Sequence, residues 1–108
     1  MNSKKIVIAS DFSKTPAGRY LTDGPASGQR FRDELLAPAL ISFDSVEVVL
    51  DGTTGYGSSF LEEAFGGLIR ECHISPDDVR KKLKVEARTS PLYESRVWRY
   101  IDDAAKRR

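Results

Sequence analysis

The sequence predicts a small α/β domain with a sheet of three to four strands, and three observations carry that prediction. Short β-branched runs alternate along the chain with stretches of helical periodicity, the pattern of strands layered on helices. The breaks between them hold serine, proline and glycine where helix starts and turns need them. The 108 residues suffice for one core but not two, so a single domain spanning 1–108 is expected.

Each element follows in order. Lys4 to Ala9 is a short apolar run bounded by polar residues and reads as a buried strand. From Ser10 to Gly28 the chain turns polar, with Pro16, Gly18, Gly24 and Pro25 as breakers, and reads as a long loop packed down by Phe12, Tyr20 and Leu21. Ser27 to Leu40 shows helical spacing, with Phe31, Leu35 and Leu36 on one face and Pro38 ending or kinking the last turn. Ser45 to Asp51 is the most apolar strand and is expected at the centre of the sheet.

The second helix should begin at Ser58 or Ser59, where Ser59 and Glu62 have the spacing of a capping box. Phe60, Leu61, Ala64, Phe65, Leu68, Ile69 and Cys72 then recur every three or four residues. Gly66 and Gly67 each cost a helix about 1 kcal/mol relative to alanine, so close packing by a neighbouring element or a partner is expected there. Ser75-Pro76-Asp77-Asp78 opens a short third helix, with a serine cap and acids in the first turn. Lys84 to Arg88 alternates like a strand, and Ser90-Pro91 opens a last helix whose inner face holds Val97, Trp98, Ile101, Ala104 and Ala105.

Composition removes several function classes. Hydrophobic content of 40% with 31% charge is that of a soluble globular protein, and a net charge of +1 supplies no global field for nucleic acid or a membrane surface. The basic clusters Arg80-Lys81-Lys82 and Lys106-Arg107-Arg108 read as solvated helix ends. A single cysteine, Cys72, forbids an internal disulfide and fits a reducing compartment. The apolar stretch before Asp11 is too short for a signal-peptide core and no run approaches a membrane span, so a cytoplasmic protein is expected. One histidine and one cysteine cannot build a structural zinc site, and neither metal nor cofactor is expected. Cys72 belongs to the apolar stripe as a core residue, and His73 reads as a surface residue at the helix end. A hydrolase using Ser58 or Ser59 would lack a base, since His73 sits at the far end of the same helix; no catalytic residue is assigned.

Two segments remain as candidate sites. Gly24-Pro25-Ala26-Ser27-Gly28 before a helix, with Arg19, Arg30 and Arg32 nearby, is a candidate anion or nucleotide site, alone or with the Ser58-Ser59 helix start, or simply a turn and cap. It lacks the P-loop lysine and follows a loop instead of a strand. Asp51 to Glu63 joins a strand ending in an acid to a glycine-rich turn and two serines at a helix start. A phosphate on Ser58 or Ser59 would be favoured by the free N–H groups and opposed by Asp51, Glu62 and Glu63. The plainer alternative is that these serines only cap the helix.

The residues Val48-Val49-Leu50-Asp51-Gly52 and Gly55-Tyr56-Gly57-Ser58-Ser59-Phe60-Leu61-Glu62-Glu63-Ala64-Phe65-Gly66-Gly67-Leu68 resemble the STAS-like domain family of unknown function (DUF4325). Pro16 to Tyr20, Asp23-Gly24-Pro25, Ser27-Gly28 and Phe31-Arg32 resemble it too. That family is a relative of the STAS domains of bacterial anti-sigma factor antagonists. The resemblance implies a bacterial or phage protein with a small mixed sheet packed by helices on one side. It further implies a non-enzymatic regulatory module that binds a protein partner, a histidine-kinase-type ATPase being the kind expected. The implied partner surface is Asp51, Gly55, Tyr56, Gly57, Phe60, Glu62, Glu63, Gly66 and Gly67, with Ser58 and Ser59 as phosphoacceptors. The aspartate and glycine that flank the serines of true antagonists are absent here. A homodimer through exposed apolar residues of the second helix stays open.

Overall fold

The strands are where runs of β-branched residues can bury one face. The computed structural model describes residues 2–107. Strands β1 (Ser3–Val7), β2 (Ser45–Val49) and β3 (Leu83–Glu86) form one sheet in the order β1-β2-β3, so the most apolar strand is central. Both pairings are parallel, so three strands of one direction stand where the resemblance implied a mixed sheet. Ile6 pairs with Val48 and Val48 with Val85, while Lys4, Val46 and Leu83 form the next row on the same face. Side chains alternate between faces, so the neighbouring row Lys5, Glu47 and Lys84 lies on the opposite face.

Four helices follow from the stretches of helical spacing. Helix α1 covers residues 28–42, starting at Ser27, whose hydroxyl accepts from the Arg30 N–H at 3.2 Å. Pro38 neither ends it nor breaks it. The turn Arg32–Leu36 widens so that the Ala37 N–H reaches back to Arg32 O, and the helix passes the residue that lacks an N–H. Helix α2 covers residues 58–70, α3 is Pro76–Lys82 and α4 is Leu92–Lys106. The Ser75 cap of α3 forms as its sequence predicts, bonding the Asp78 N–H at 3.1 Å. His73 stands just past α2 in the left-handed region, φ 57°, while the Ile74 N–H returns to Leu68 O.

Helix α2 lies between α1 and α4, and from Phe60 to Ile69 all its residues except Glu62 are buried. A helix apolar on every side is an interior helix. Phe31 and Phe60 stack at 6.1 Å, Phe12 leans on Phe31 at 5.3 Å, and Tyr56 meets Phe60 at 5.6 Å. Phe12 therefore holds the start of the long loop down, whereas Tyr20 and Leu21 are 52% and 47% exposed and do not. Cys72 is half-buried against the core. No helix among the described residues is long and apolar enough to cross a membrane.

Candidate functional site at the carboxyl ends of the strands

Parallel strands send all their following loops to one edge, and ligands of open α/β sheets meet them there. Here the edge is built by the segments after β1, β2 and β3. Thr54 N–H bonds Lys14 O at 2.9 Å, joining the first two, and Asp51 joins the second to the third. The Asp51 carboxylate accepts from the backbone N–H of Thr89 at 2.7 Å and of Arg88 at 3.1 Å. These bonds, the Thr89 one foremost, hold its carboxyl below the usual aspartate value. Asp51 is thus a clamp between loops.

Above the clamp, Gly52 (φ 94°) and Gly55 (φ 123°) take backbone conformations that only glycine adopts freely. A small cavity of about 200 Å³ opens between this turn and Thr89, Ser90 and Tyr93. The Tyr56 ring is buried below it, donating its hydroxyl to Leu50 O at 2.7 Å, and desolvation pushes its pKa up to about 12. Tyr93 stands edge-on to that ring at 5.2 Å and its oxygen accepts the Tyr56 N–H at 3.3 Å. The turn is therefore propped from beneath while Gly52, Thr54, Gly57, Ser58 and Ser59 are exposed.

The capping box expected between Ser59 and Glu62 does not form. Gly57 is the cap residue and no side chain bonds the first turn, so the N–H groups of Ser58, Ser59 and Phe60 stay without acceptors among the described residues. Glu62 turns instead to two arginines: it pairs with Arg19 and with Arg70, the latter at 2.6 Å. Glu63 pairs with Arg32 at 2.5 Å, and with Arg19 and Arg70 at 3.1 Å each. The Arg32–Glu63 pair is interior, with side chains 5% and 4% exposed, and Arg32 also donates to Glu63 O at 3.1 Å. Burial pushes the Glu62 carboxyl up, but the bonds from Arg19 and Arg70 outweigh it and hold it below its usual value. The repulsion expected between these acids and a phosphate is largely neutralised by three guanidinium groups.

This network explains the paired glycines. A Cβ at Gly67 would collide with Arg32 Nη1, and one at Gly66 would sit 2.8 Å from Glu62 Oε2 and 3.3 Å from Tyr100 O. Phe60, Glu63, Gly66 and Gly67 were expected on a partner surface; they are interior, filled by α1, α4 and the buried arginine. Of that expected surface, Gly57 is exposed, Gly55 and Glu62 are half-buried, Tyr56 is buried and Asp51 is occupied by its loop clamp.

The anion site expected from Arg19, Gly24, Ser27, Gly28, Arg30 and Arg32 does not assemble. The α1 first-turn donors are already used: Gly28 N–H by Gly18 O at 3.0 Å, Gln29 N–H by Arg19 O at 2.9 Å, and Arg30 N–H by the buried Ser27 hydroxyl. Gly28 is where α1 meets α2, since a Cβ there would lie 2.5 Å from Phe60 O. Arg19 and Arg32 are bound to glutamates and Arg30 pairs with Glu34 at 2.8 Å, while Gly24 stays in the loop at φ 153°. Spacing around the turn could not have shown the Arg70 share of this network; only the i, i+7 and i, i+8 relation of Arg70 to Glu63 and Glu62 hinted at it. Of the basic clusters, Arg80 pairs with Asp102 at 2.8 Å, Lys106 and Arg107 are exposed, and Arg108 lies outside the described residues.

No curated protein and no solved structure matches the chain. The family model described as a STAS-like domain of unknown function (DUF4325) matches residues 27–92, from the cap of α1 to the start of α4, and so spans the whole glycine-serine turn and, of its charge network, Arg32, Glu62, Glu63 and Arg70 but not Arg19. The chain belongs to that STAS-like family.

Proposed function

We propose that this protein is a non-enzymatic regulatory module that docks a protein partner through the exposed turn and helix start, Gly52 to Ser59. The carrying observation is an open helix N-terminus with two solvent-facing serines, standing on a turn that is rigidly propped by Tyr56, Tyr93 and Asp51. A rigid, exposed loop on a buried scaffold is the usual form of a recognition site. The body of α2 is interior, so the docking surface is narrower than the Gly55 to Gly67 span read from the sequence. A histidine-kinase-type ATPase is the partner that the family's relation to anti-sigma factor antagonists favours. Phosphorylation of Ser58 or Ser59 would switch the contact: the free N–H groups and the helix dipole accept the charge while the partner's surface loses its fit. A single free cysteine suits work in a reducing cytoplasm. Catalysis has little to work with, because His73 and the serines are separated by the length of α2, about 20 Å.

Titration calorimetry with a histidine-kinase-type ATPase encoded beside the gene tests this reading. The unmodified protein is expected to bind, and Ser58→Asp or Ser59→Asp to weaken binding by about tenfold, near 1.4 kcal/mol. Gly57→Trp is expected to abolish it with no loss of fold, since a Cβ at Gly57 meets nothing within 4 Å. Wild-type affinity in all three variants removes this surface from the docking site.

A further inference from the structure

A second cavity opens at the far end of α2 from the docking turn, between the last turn of α2 and that of α4. It measures about 320 Å³ and is lined by Ile69, Arg70, His73, Ala104 and Arg107. That volume is at the low end for ligand pockets, about 300–1,000 Å³. The packing of the two helices creates it. Tyr100 O lies 3.3 Å from where a Gly66 Cβ would stand, so the helices are close one turn earlier. Along the inner stripe of α4, Val97 and Ile101 are fully buried in the core, and Ala104 then offers only a methyl group to fill the next space.

The floor of this groove is apolar, since Ile69 and Ala104 are both buried. Its other lining residues are three basic side chains, and no acid among the described residues joins them. The three are not equivalent. Arg70 is already matched by Glu62 at 2.6 Å and by Glu63 and Glu71 at 3.1 Å each, so it serves as a fixed wall. Arg107 is exposed and makes no ion pair among the described residues; Asp103, one turn back on α4, does not reach it. His73 is held at φ 57° by a turn in which the Ile74 N–H bonds Leu68 O at 3.0 Å and the Cys72 N–H bonds Gly67 O at 3.1 Å. Glycine takes that position without strain, yet here an imidazole stands there and lines the groove.

We propose that this groove binds a small apolar monocarboxylic acid, its hydrocarbon body on Ile69 and Ala104 and its carboxylate on Arg107 and His73. The guanidinium fork of Arg107 matches a carboxylate, and the His73 ring adds a further donor. A bare inorganic anion would gain nothing from the apolar floor, and a neutral apolar molecule would leave both donors unused. The carbonyl ends of α2 and α4 also meet here and oppose an anion, so these two side chains carry its charge and the loss of either is felt. The site is separate from the docking turn and does not depend on it.

Calorimetric titration with octanoate, octanol and acetate, with amide NMR shifts to place the contact, tests this on the whole chain. Octanoate should bind with its largest shifts at Ile69, His73 and Ala104, and octanol and acetate should bind at least about tenfold more weakly. Arg107→Gln, at an exposed position, should weaken octanoate by about tenfold. Ala104→Leu should fill the groove and abolish binding. His73→Gly should raise the urea midpoint, because it relieves the turn, and still lower the affinity. No binding at millimolar octanoate, or shifts centred elsewhere, overturns the site. Octanol binding as tightly as octanoate overturns the carboxylate, and unchanged affinity in Arg107→Gln or His73→Gly overturns the role given to that residue. None of these results touches partner docking, which stands or falls on the calorimetry with the ATPase.

Discussion

The first turn of α2 and its middle lie a few residues apart and meet opposite environments. Ser58 and Ser59 face solvent above N–H groups that no side chain among the described residues caps. Glu63, Gly66 and Gly67 are buried around an arginine from another helix. The difference shows that glycines and acids clustered near an exposed turn need not belong to its surface. The middle of α2 is a structural joint, and its chemistry is used up in holding α1, the long loop and α4 together. The first turn is the part left free.

Substitutions can separate the two roles, and the largest effect should come from the joint. Arg32→Met leaves Glu63 buried with weaker partners and should cost about 3–5 kcal/mol in urea unfolding. Gly67→Ala should cost about 3 kcal/mol by the same assay, because its Cβ claims the space of the guanidinium and forces out a packed side chain. Asp51→Asn should cost about 1–2 kcal/mol, the loss of two charge-assisted bonds at a partly exposed site. At the other extreme, Ser59→Ala should change stability by less than about 0.5 kcal/mol, as for a surface residue without a cap bond. Ser75→Ala, which removes a cap that does form, should cost about 1 kcal/mol. Equal costs at Ser59 and Ser75 would restore the capping role to Ser59.

Acid sharpens the same contrast. Glu62 and Asp51 both have carboxyls held below their ordinary values in the folded state. The unfolded chain therefore takes up their protons first as pH falls. The stability they contribute is complete above the ordinary values of about 4 and is lost as pH drops through the lower folded ones. Urea midpoints measured from pH 6 to pH 3 should fall, and Glu62→Gln should flatten that fall while Ser59→Ala leaves it unchanged.

Much of this was legible in the sequence. Runs of valine and isoleucine placed three strands within one or two residues, and serine and proline marked the starts of α1, α3 and α4. The glycines of α2 announced close packing, and their neighbours are Arg32, Glu62 and Tyr100. The capping box failed because two long-range arginines outbid the helix's own N–H groups for Glu62. The anion site failed because Gly18 and Arg19 carbonyls reached the α1 amides first.

Periodicity and turn chemistry, which act over a few residues, determined from the sequence alone that this is a small α/β domain with an exposed serine-bearing turn after its central strand. Which face of α2 would be buried, and whether its glutamates would meet cations or solvent, depended on partners 31 and 43 positions away. Only the tertiary structure decides such contacts, because no local preference records which distant side chain will arrive. That decision divided one continuous motif into a sealed joint and an open surface.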